Sequence, residues 1–518
     1  MKLMRQLLTI VFILFVVFAQ VMIVFQVVRP VCQPGWYVDI PHKKRNVMDF
    51  FQYVQVAQLA LQGSHQVYDP DVQLAWHNNL IKPLKWENDL VFYNQQPPSS
   101  YFLLIPLAFA PNYGVGYCLW GLLQSAAGLA AMHFLSSFGK LNKRDRKIFL
   151  LAVFCSFPAY SCIWQGNTSF WLLSCLGFYA YFWLKGRDVL GGLFLALSTF
   201  KPQYTLMMSL PSLVSMRWKL IATAAVIEVL LLIAGGMIIG FENVINYPHV
   251  IANAESNVRF TGVRPEAMVS LRGIFSHLGM GIHDSLSISS TIMILSLVPV
   301  CLFWHLVNSK IGAANTALKA PGLQSTELKC WALAMTIVLA LTLSPHSHSF
   351  DCVLLAFPAA LTLSTISLVD ALKIKDRSLC CWSVTFIVYP ILTWILNFSM
   401  PLMTSPIFLF LLNVILLISG SFYTVGLMRR GFATGTDPTG TDPLSQLKQA
   451  TEPSEPAAVN PAAGSAGVPP ASTETVDLNP APETGGVITT ADAGDVDPVA
   501  ETGEVISTAG TVDMHREL

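Results

Sequence analysis

Two histidines and an aspartate interrupt an apolar part of the chain in the stretch LTLSPHSHSFDCVLL. His346, His348 and Asp351 carry side chains that are costly to bury in hydrocarbon, so their place between two apolar runs needs an explanation. Imidazole and carboxylate groups can bind an anion, ligate a metal or exchange protons. The stretch is therefore a candidate site, provided that it lies at a turn between two helices.

Other polar residues of this kind lie in similar interruptions. Apolar residues recur at helical spacing from Phe50 to Leu61, which predicts an amphipathic helix on the bilayer surface with Asp49 at its N-terminus. An aspartate at that place can cap the helix or act as a general base. The remaining candidates are Gln165 and Asn167 in WQGNTS, Lys201 in FKPQY, and Arg259, Arg264 and Arg272 between residues 242 and 287.

The composition is that of a membrane protein. Hydrophobic residues make up 53% of the chain and charged residues 12%, about half of the ~25% that is usual in soluble domains. Apolar runs recur from Met4 to Met428, and about 20 helical residues cross a bilayer core. We predict an all-α, polytopic protein with about twelve transmembrane helices, the first of them a retained span over 7–28.

Basic residues in short loops mark the cytoplasmic side of a membrane. The loops that this rule places inside are the N-terminus, 139–147, 185–187, 217–219, 308–329, 373–377 and 429–430. The connections left outside are 29–98, 164–169, 200–204, 242–287, 344–351 and 397–406. Both termini are then cytoplasmic, and every candidate residue lies on the outer side.

Two segments fit this topology only with unusual helices. Residues 99–138 must cross once, so the short apolar piece 101–110 is predicted to be partly embedded or re-entrant. Residues 189–216 must form a hairpin from two short runs, which is tolerated where the backbone lines a water-filled cavity. A wet cavity is therefore predicted near Lys201, opening outward.

The chain divides into a membrane domain, 1–430, and a tail, 431–518. The tail holds 14 of the 31 acidic residues but 2 of the 31 basic ones. Its sequence is rich in Pro, Gly, Ala and Thr, so it is predicted to be disordered. The ten cysteines show no metal-type spacing, and neither a disulfide framework nor a metal site is expected from them.

Six motifs together resemble glycosyltransferase family 87. They are DFFQYVQVAQLALQGSHQVYD, PPSSYFLLIPLAFAP, IWQGNTSFWLL, GGLFLALSTFKPQYTLMMSLPSLVSMRWK, MVSLRGIF and LSPHSHSFDCVLLAFPAAL. The resemblance covers most of residues 1–430 and leaves out the acidic tail. It implies a GT-C-type fold with a long first outer loop, in the inner or plasma membrane of a bacterium.

The resemblance also implies an inverting transfer of a hexose, mannose in the family, from a polyprenyl-phosphate donor to a lipid or glycan acceptor. Asp49 would be the catalytic base, and Lys201 and Arg272 would bind the donor phosphate. The alternatives are that Lys201 only extends its charge to the membrane interface and that Arg272 forms an ordinary ion pair within its loop. His346 and His348 could bind the phosphate or orient Asp49, and Gln165 and Asn167 suit sugar hydroxyls. Asp351 would cap the following helix or hold one of the histidines.

No cofactor, metal or nucleic acid is expected beside the donor, the acceptor and membrane lipids. A metal at the histidines and Asp351 would lack further ligands at a fixed spacing. Two other classes of protein remain alternatives. A multi-pass transporter would show repeated halves and buried ionisable residues, whereas Glu228 is the clear mid-run acid here. A non-catalytic envelope-assembly protein would not need Asp49.

Overall fold

The structure is a computed structural model that describes residues 10, 13–25, 38–39, 44–45, 49–80, 93–138, 141–256, 264–318, 323–365, 377–399 and 405–430. Its helices are α1 (Ile13–Phe25), α2 (Asp49–Leu61), α3 (Pro70–Leu80), α4 (Tyr101–Leu104), α5 (Tyr113–Leu135), α6 (Lys143–Phe154), α7 (Phe157–Gln165), α8 (Ser169–Leu184), α9 (Asp188–Ala196), α10 (Pro202–Val214), α11 (Trp218–Ile239), α12 (Phe241–Ser256), α13 (Leu271–His277), α14 (Ile282–Leu318), α15 (Leu323–Leu343), α16 (Ala356–Thr365), α17 (Arg377–Ser399) and α18 (Ser405–Arg430).

Short segments complete the described chain. Five 3-10 turns cover Pro98–Ser100, Ile105–Phe109, Ser136–Phe138, Pro265–Ala267 and Ser349–Leu355, and strands Val38–Asp39 and Lys44–Arg45 pair antiparallel. The predicted disordered tail and Arg259 lie outside the described residues.

Several helices are long and apolar enough to cross a membrane. Among the described residues they number five, or up to seven if two bent helix pairs are each one span. The α11 span has most of its surface exposed, whereas the α15 span is largely buried. The helical membrane architecture is therefore as predicted, and the twelve crossings and the GT-C-type fold stay predictions.

Helix α2 begins at Asp49, as predicted, but it is not a helix with one face on lipid. Ten of its thirteen residues are buried. Phe50 contacts Tyr113 and Tyr117 edge-on, with ring centroids 5.2 and 5.5 Å away, and Phe51 lies against Trp76 on another side. Aromatic neighbours on several faces thus enclose the helix within the protein. The sequence did not predict this enclosure, because the spacing of the hydrophobic residues does not say what covers the opposite face of the helix.

Residues 98–109 form a chain of short helical turns that precedes α5. Pro98 lies so close to α11 that a Cβ on Gly235 would be 2.2 Å from the Pro98 carbonyl oxygen. Asn112 then begins α5, because its side chain accepts the Val115 N–H at 2.9 Å. A short helical piece is thus followed by one long helix, and the single net crossing of 99–138 stays a prediction.

The predicted hairpin over 189–216 consists of α9, with 9 residues, and α10, with 13. Lys201 lies in the turn between them, immediately before Pro202 begins α10. The turn is held to α11 because Thr199 Oγ1 donates to the Glu228 carboxylate at 2.6 Å. The polar turn thereby lies against the spanning helix. The Lys201 backbone is fixed in it, because its N–H donates to the Ser198 carbonyl at 3.1 Å and its carbonyl accepts from Tyr204 N at 3.1 Å.

Candidate active site

A cavity of about 690 Å³ lies where α2, α7, the α9–α10 turn, α12 and the histidine loop 344–351 meet. Such a volume is within the range of ligand sites, ~300–1,000 Å³. Six of the eight residues predicted for the site line it: Asp49, Gln165, Asn167, Lys201, His346 and His348. A cavity at Lys201 was the structural prediction from the short hairpin, and the structure has one.

Asp49 is the acidic residue that lines the cavity at the N-terminal end of α2. Its carboxylate accepts a hydrogen bond from Asn167 Nδ2. Burial raises the pKa of the Asp49 carboxyl, and the hydrogen bond from Asn167 and the charge of Lys201 offset that rise only in part. A carboxylate with a raised pKa is a better proton acceptor than an exposed aspartate. The position is thus suited to a general base.

Asn167 connects Asp49 to the rest of the site. It follows Gly166, which ends α7 in the left-handed conformation with φ of 65°. The Asn167 Oδ1 atom accepts from Ser169 N at 2.9 Å, from Ser169 Oγ at 2.6 Å and from Lys201 Nζ at 3.3 Å. Because an amide oxygen accepts hydrogen bonds, these three donors show which atom of the Asn167 amide is Oδ1. The Nδ2 group then faces Asp49 and donates to it.

Lys201 forms an ion pair with Asp351, whose side chain is fully buried. Asp351 also accepts from Ser169 Oγ at 2.5 Å and from the His348 backbone N–H at 3.0 Å. Burial by itself would raise the pKa of Asp351, but Lys201 and these hydrogen bonds outweigh it and lower that pKa. Asp351 is therefore a stable anion that holds Lys201 and the start of the Ser349–Leu355 turn, in line with the expected supporting role.

The histidine loop is held by two other segments. Its Ser347 carbonyl accepts from Val269 N–H at 2.8 Å, in an antiparallel bridge between Met268 and His348. Tyr204 of α10 also donates to Ser347 Oγ at 3.1 Å. The MVSLRGIF, FKPQY and SPHSHSFD motifs, which are far apart in sequence, are thus brought together at one wall.

The two histidines differ in their surroundings. Their rings lie edge to face with centroids 4.9 Å apart. Burial lowers the pKa of His348 to about 3, so this imidazole is neutral at physiological pH. The His346 side chain is 27% exposed, and His346 is therefore the more accessible of the two to a bound molecule.

Arg272 is not at the cavity wall. Its side chain is fully buried and forms an ion pair with Glu255, which does line the cavity. The expectation that Arg272 itself contacts a donor phosphate does not fit this placement. The sequence analysis missed Glu255, because an acid in a long outer loop gives no sign of its partner seventeen residues further on.

Uncharged amides are the other polar groups that the sequence analysis missed. Gln52, Gln95 and Gln96 line the cavity beside Gln165 and Asn167. The backbone of Gln95 and Gln96 is fixed, because Tyr247 Oη donates to the Gln95 carbonyl at 2.9 Å and Tyr68 Oη to the Gln96 carbonyl at 2.6 Å. Helical spacing could have pointed to Gln52, which follows Asp49 by three residues and shares its face.

Gly166 offers a test of how the α7 turn positions Asp49. Its φ is positive, and a Cβ there would lie 2.5 Å from the Cβ of Phe50, the neighbour of Asp49. We expect Gly166→Ala to lose stability by more than the ~1–2 kcal/mol of the left-handed backbone, and to lose transfer activity as Asp49 is displaced. Thermal unfolding and transfer rates in lipid measure both effects.

Gly63→Ala is the matched control for that substitution. Gly63 has a similar φ of 71°, but nothing lies within 4 Å of a Cβ built on it. It should therefore show the backbone cost alone and keep its activity. Equal losses in the two variants would mean that the contact with Phe50 is unimportant.

Within the described part of the chain, no group of three or more His, Cys, Asp or Glu side chains is arranged to hold a metal ion. Of the charged groups that line the cavity, Lys201 is paired with Asp351 and Glu255 with Arg272, and Asp49 is hydrogen-bonded to the neutral Asn167. The site is therefore built of carboxylates, a lysine, imidazoles and amides.

Fold and site together define a helical membrane protein with a polar cavity that holds a half-buried carboxylate of raised pKa beside a lysine and two histidines. Residues 95–345 match the model of glycosyltransferase family 87. This match supports the family resemblance of the motifs, and the family implies glycosyltransferase activity, with a sugar donor and an acceptor as substrates. No curated protein matches the chain.

Proposed function

We propose that the protein is an inverting glycosyltransferase that moves a hexose, such as mannose, from a polyprenyl-phosphate donor to a lipid or glycan acceptor. The observation that carries this proposal is the cavity, in which Asp49 is joined through Asn167 to Lys201. The proposed base, Asp49, and the cation, Lys201, are thereby held at a fixed separation on two sides of the Asn167 side-chain amide. A sugar between them would have its acceptor hydroxyl near Asp49 and its phosphate near Lys201.

The reaction exchanges one C–O bond for another. Asp49 takes the proton of the acceptor hydroxyl, whose oxygen attacks the anomeric carbon from the face opposite the phosphate. The bond from the anomeric carbon to the phosphate oxygen breaks, and the lipid phosphate leaves as an anion. Groups already oriented toward that developing charge lower the barrier most.

Lys201 has a specific capacity for that anion. Its three N–H groups point to Asp351, to Ser169 Oγ at 3.1 Å and to Asn167 Oδ1 at 3.3 Å. The longest of these bonds is the weakest, so a donor phosphate would replace Asn167 and leave the ion pair with Asp351 in place. His346 and the exposed Arg264 also line the cavity and would add positive charge there.

A lipid-linked donor is supported by the helix that joins the cavity to the apolar surface. Leu286 and Ser290 of α14 line the cavity. Further along the same helix, Ile294 and Val298 are 58% and 62% exposed. A polyprenyl chain could follow this apolar surface while its phosphate and sugar occupy the cavity.

The direct test is transfer by the purified protein in lipid. It would be incubated with labelled polyprenyl-phosphate-mannose and a cell lipid extract, with Asp49→Asn as the inactive control, and the product identified by mass spectrometry. A labelled glycolipid or glycan made only by the unmutated protein supports the proposal. Uptake of the donor into vesicles without a covalent product would favour a transporter instead.

Cysteine labelling tests on which side the cavity opens. In a protein without native cysteines, a thiol at Asn142 should react with an impermeant reagent from the cytoplasmic side, and one at Leu278 from the outside. Asn142 is exposed and Leu278 is 71% exposed, whereas Ser347 of the histidine loop is fully buried and unsuitable. Labelling of both positions from one side would contradict the outward cavity.

A further inference from the structure

Glu255 is an acid of the cavity wall to which the proposed transfer assigns no role. It lies one residue before the end of α12 and is 7% exposed. Both carboxylate oxygens already have partners: Oε2 accepts from Arg272 Nη1, and Oε1 lies 2.8 Å from Nδ1 of His346. An acid so engaged cannot easily serve as a second base.

Arg272 holds Glu255 and the histidine loop together. Its Nη2 donates to the Glu255 carbonyl at 2.9 Å, and its Nη1 donates to the Pro345 carbonyl at 3.1 Å. Pro345 immediately precedes His346. One buried guanidinium therefore fixes both the carboxylate and the backbone that carries the imidazole, and the mutual placement of Glu255 and His346 does not depend on a bound ligand.

Glu255 is an anion in this setting. Burial alone would raise the pKa of Glu255, but His346 and Arg272 outweigh burial and lower that pKa to about 2. An anionic oxygen at 2.8 Å from a ring nitrogen is an acceptor for a proton on that nitrogen. The proton on Nδ1 is therefore favoured.

The orientation of His346 follows from this contact. Its Nδ1 atom is buried and lies at ion-pair distance from Glu255 Oε1, but the ring N–H does not have the angle of a hydrogen bond to that oxygen in this structure. The side chain as a whole is 27% exposed and lines the cavity. Since the two nitrogens lie on different edges of the ring, the Nε2 edge is the one that remains for the cavity. His346 also acts on Asp49 electrostatically, so this edge belongs to the same site.

We propose that Glu255 is a positioning residue: paired with Arg272, it accepts from Nδ1 of the cationic His346 ring, so that the Nε2–H of the same ring can donate to the departing phosphate. Arg272 then acts through Glu255 and does not touch the donor. This inference rests on the proposed glycosyl transfer for the identity of the ligand, but the contact of Glu255 with His346 is a property of the protein alone.

The kinetic test replaces the ion pair by apolar side chains. Removing one member would leave a buried charge without its partner, whereas replacing both is often tolerated by the fold. The variant Glu255→Leu with Arg272→Met should therefore fold and lose about 10–100-fold in turnover, the loss typical when the partner that orients a functional imidazole is removed. Glu242→Leu, at an exposed position of the same helix, is the control and should remain fully active.

His346→Gln distinguishes positioning from a separate structural effect. If Glu255 acts through His346, adding this substitution to the double variant should cause no further loss, because residues that act as one unit are not additive. If the loss of turnover in the triple variant equalled the product of the losses in His346→Gln and in the double variant, the proposal would be overturned. Wild-type turnover in the double variant would also overturn it.

A spectroscopic measurement tests the contact without catalysis. In protein labelled with ¹⁵N-histidine and placed in lipid nanodiscs, the signals of His346 are assigned by their absence in His346→Gln. The proposal requires a proton on both ring nitrogens, and a neutral ring would overturn it. If the protein proved to use another donor, transfer would fail while this result stood, so the two proposals fail separately.

Discussion

Asp49→Asn is expected to fold, to bind the donor and to lose turnover by about 10²–10⁴-fold, the usual contribution of general base catalysis. An asparagine at this place keeps the size of aspartate, and its carbonyl oxygen can still accept from Asn167 Nδ2, as the carboxylate does. What it lacks is the ability to take a proton at neutral pH. The loss should therefore appear in turnover while thermal stability and donor affinity change little.

Asp69→Asn is a matched control for this substitution. Asp69 lies between α2 and α3 and caps α3, since its Oδ1 accepts from Asp71 N at 2.8 Å and Val72 N at 3.2 Å. Asparagine is about as good an N-cap as aspartate, so this variant should be active and stable. If Asp49→Asn behaved like Asp69→Asn, Asp49 would be a helix-terminal residue and the proposed mechanism would lose its base.

The dependence of transfer on pH adds a second readout. Because burial raises the pKa of Asp49, Asp49 stays protonated up to a higher pH than an exposed aspartate does. In that form it cannot accept the proton of the acceptor hydroxyl. The rate should fall as pH decreases through this raised pKa, and the acidic limb of kcat/KM should report it. In Asp49→Asn, the residual rate should lack that limb.

The sequence was informative where polar side chains interrupt apolar runs. Lys201 and His346 stand out because burial in hydrocarbon is so costly that each needs a wet or paired environment, whereas Asp49 was selected by its place at the start of a helix and by the family resemblance. The short runs around Lys201 likewise predicted a hairpin beside a cavity, since half-length helices satisfy their backbone only there. These inferences depend on the free-energy cost of burying polar groups in the membrane, which can be judged from the residues in a short stretch of sequence.

Long-range partners could not be predicted in this way. Arg272 was expected at a phosphate because a cation in an outer loop beside a site suggests that role. The structure pairs it with Glu255, and this pairing depends on how α12, α13 and the histidine loop pack. The enclosure of α2 was missed for the same reason, because its second face is covered by residues of α3 and α5.

Lys201→Met is expected to be the least stable single variant of the site. It removes the cation from Asp351, which is fully buried, and breaking a buried ion pair in this way costs about 3–5 kcal/mol. The same substitution should weaken donor binding as well as turnover, because a phosphate contact exists both before and during the reaction. Stability and function would thus fall together, and this variant alone cannot separate them.

Adding Asp351→Asn to Lys201→Met separates the two effects. The neutral asparagine removes the buried charge. Asp351 accepts from Ser169 Oγ and from the His348 N–H with different oxygens, and the amide oxygen of asparagine can still accept from His348 while its NH₂ group can donate to Ser169 Oγ. The double variant should therefore recover most of the lost thermal stability. It should not recover donor affinity or turnover, because the ammonium group of Lys201 is still missing from the phosphate site. Recovery of transfer along with stability would mean that Lys201 serves only to neutralise Asp351.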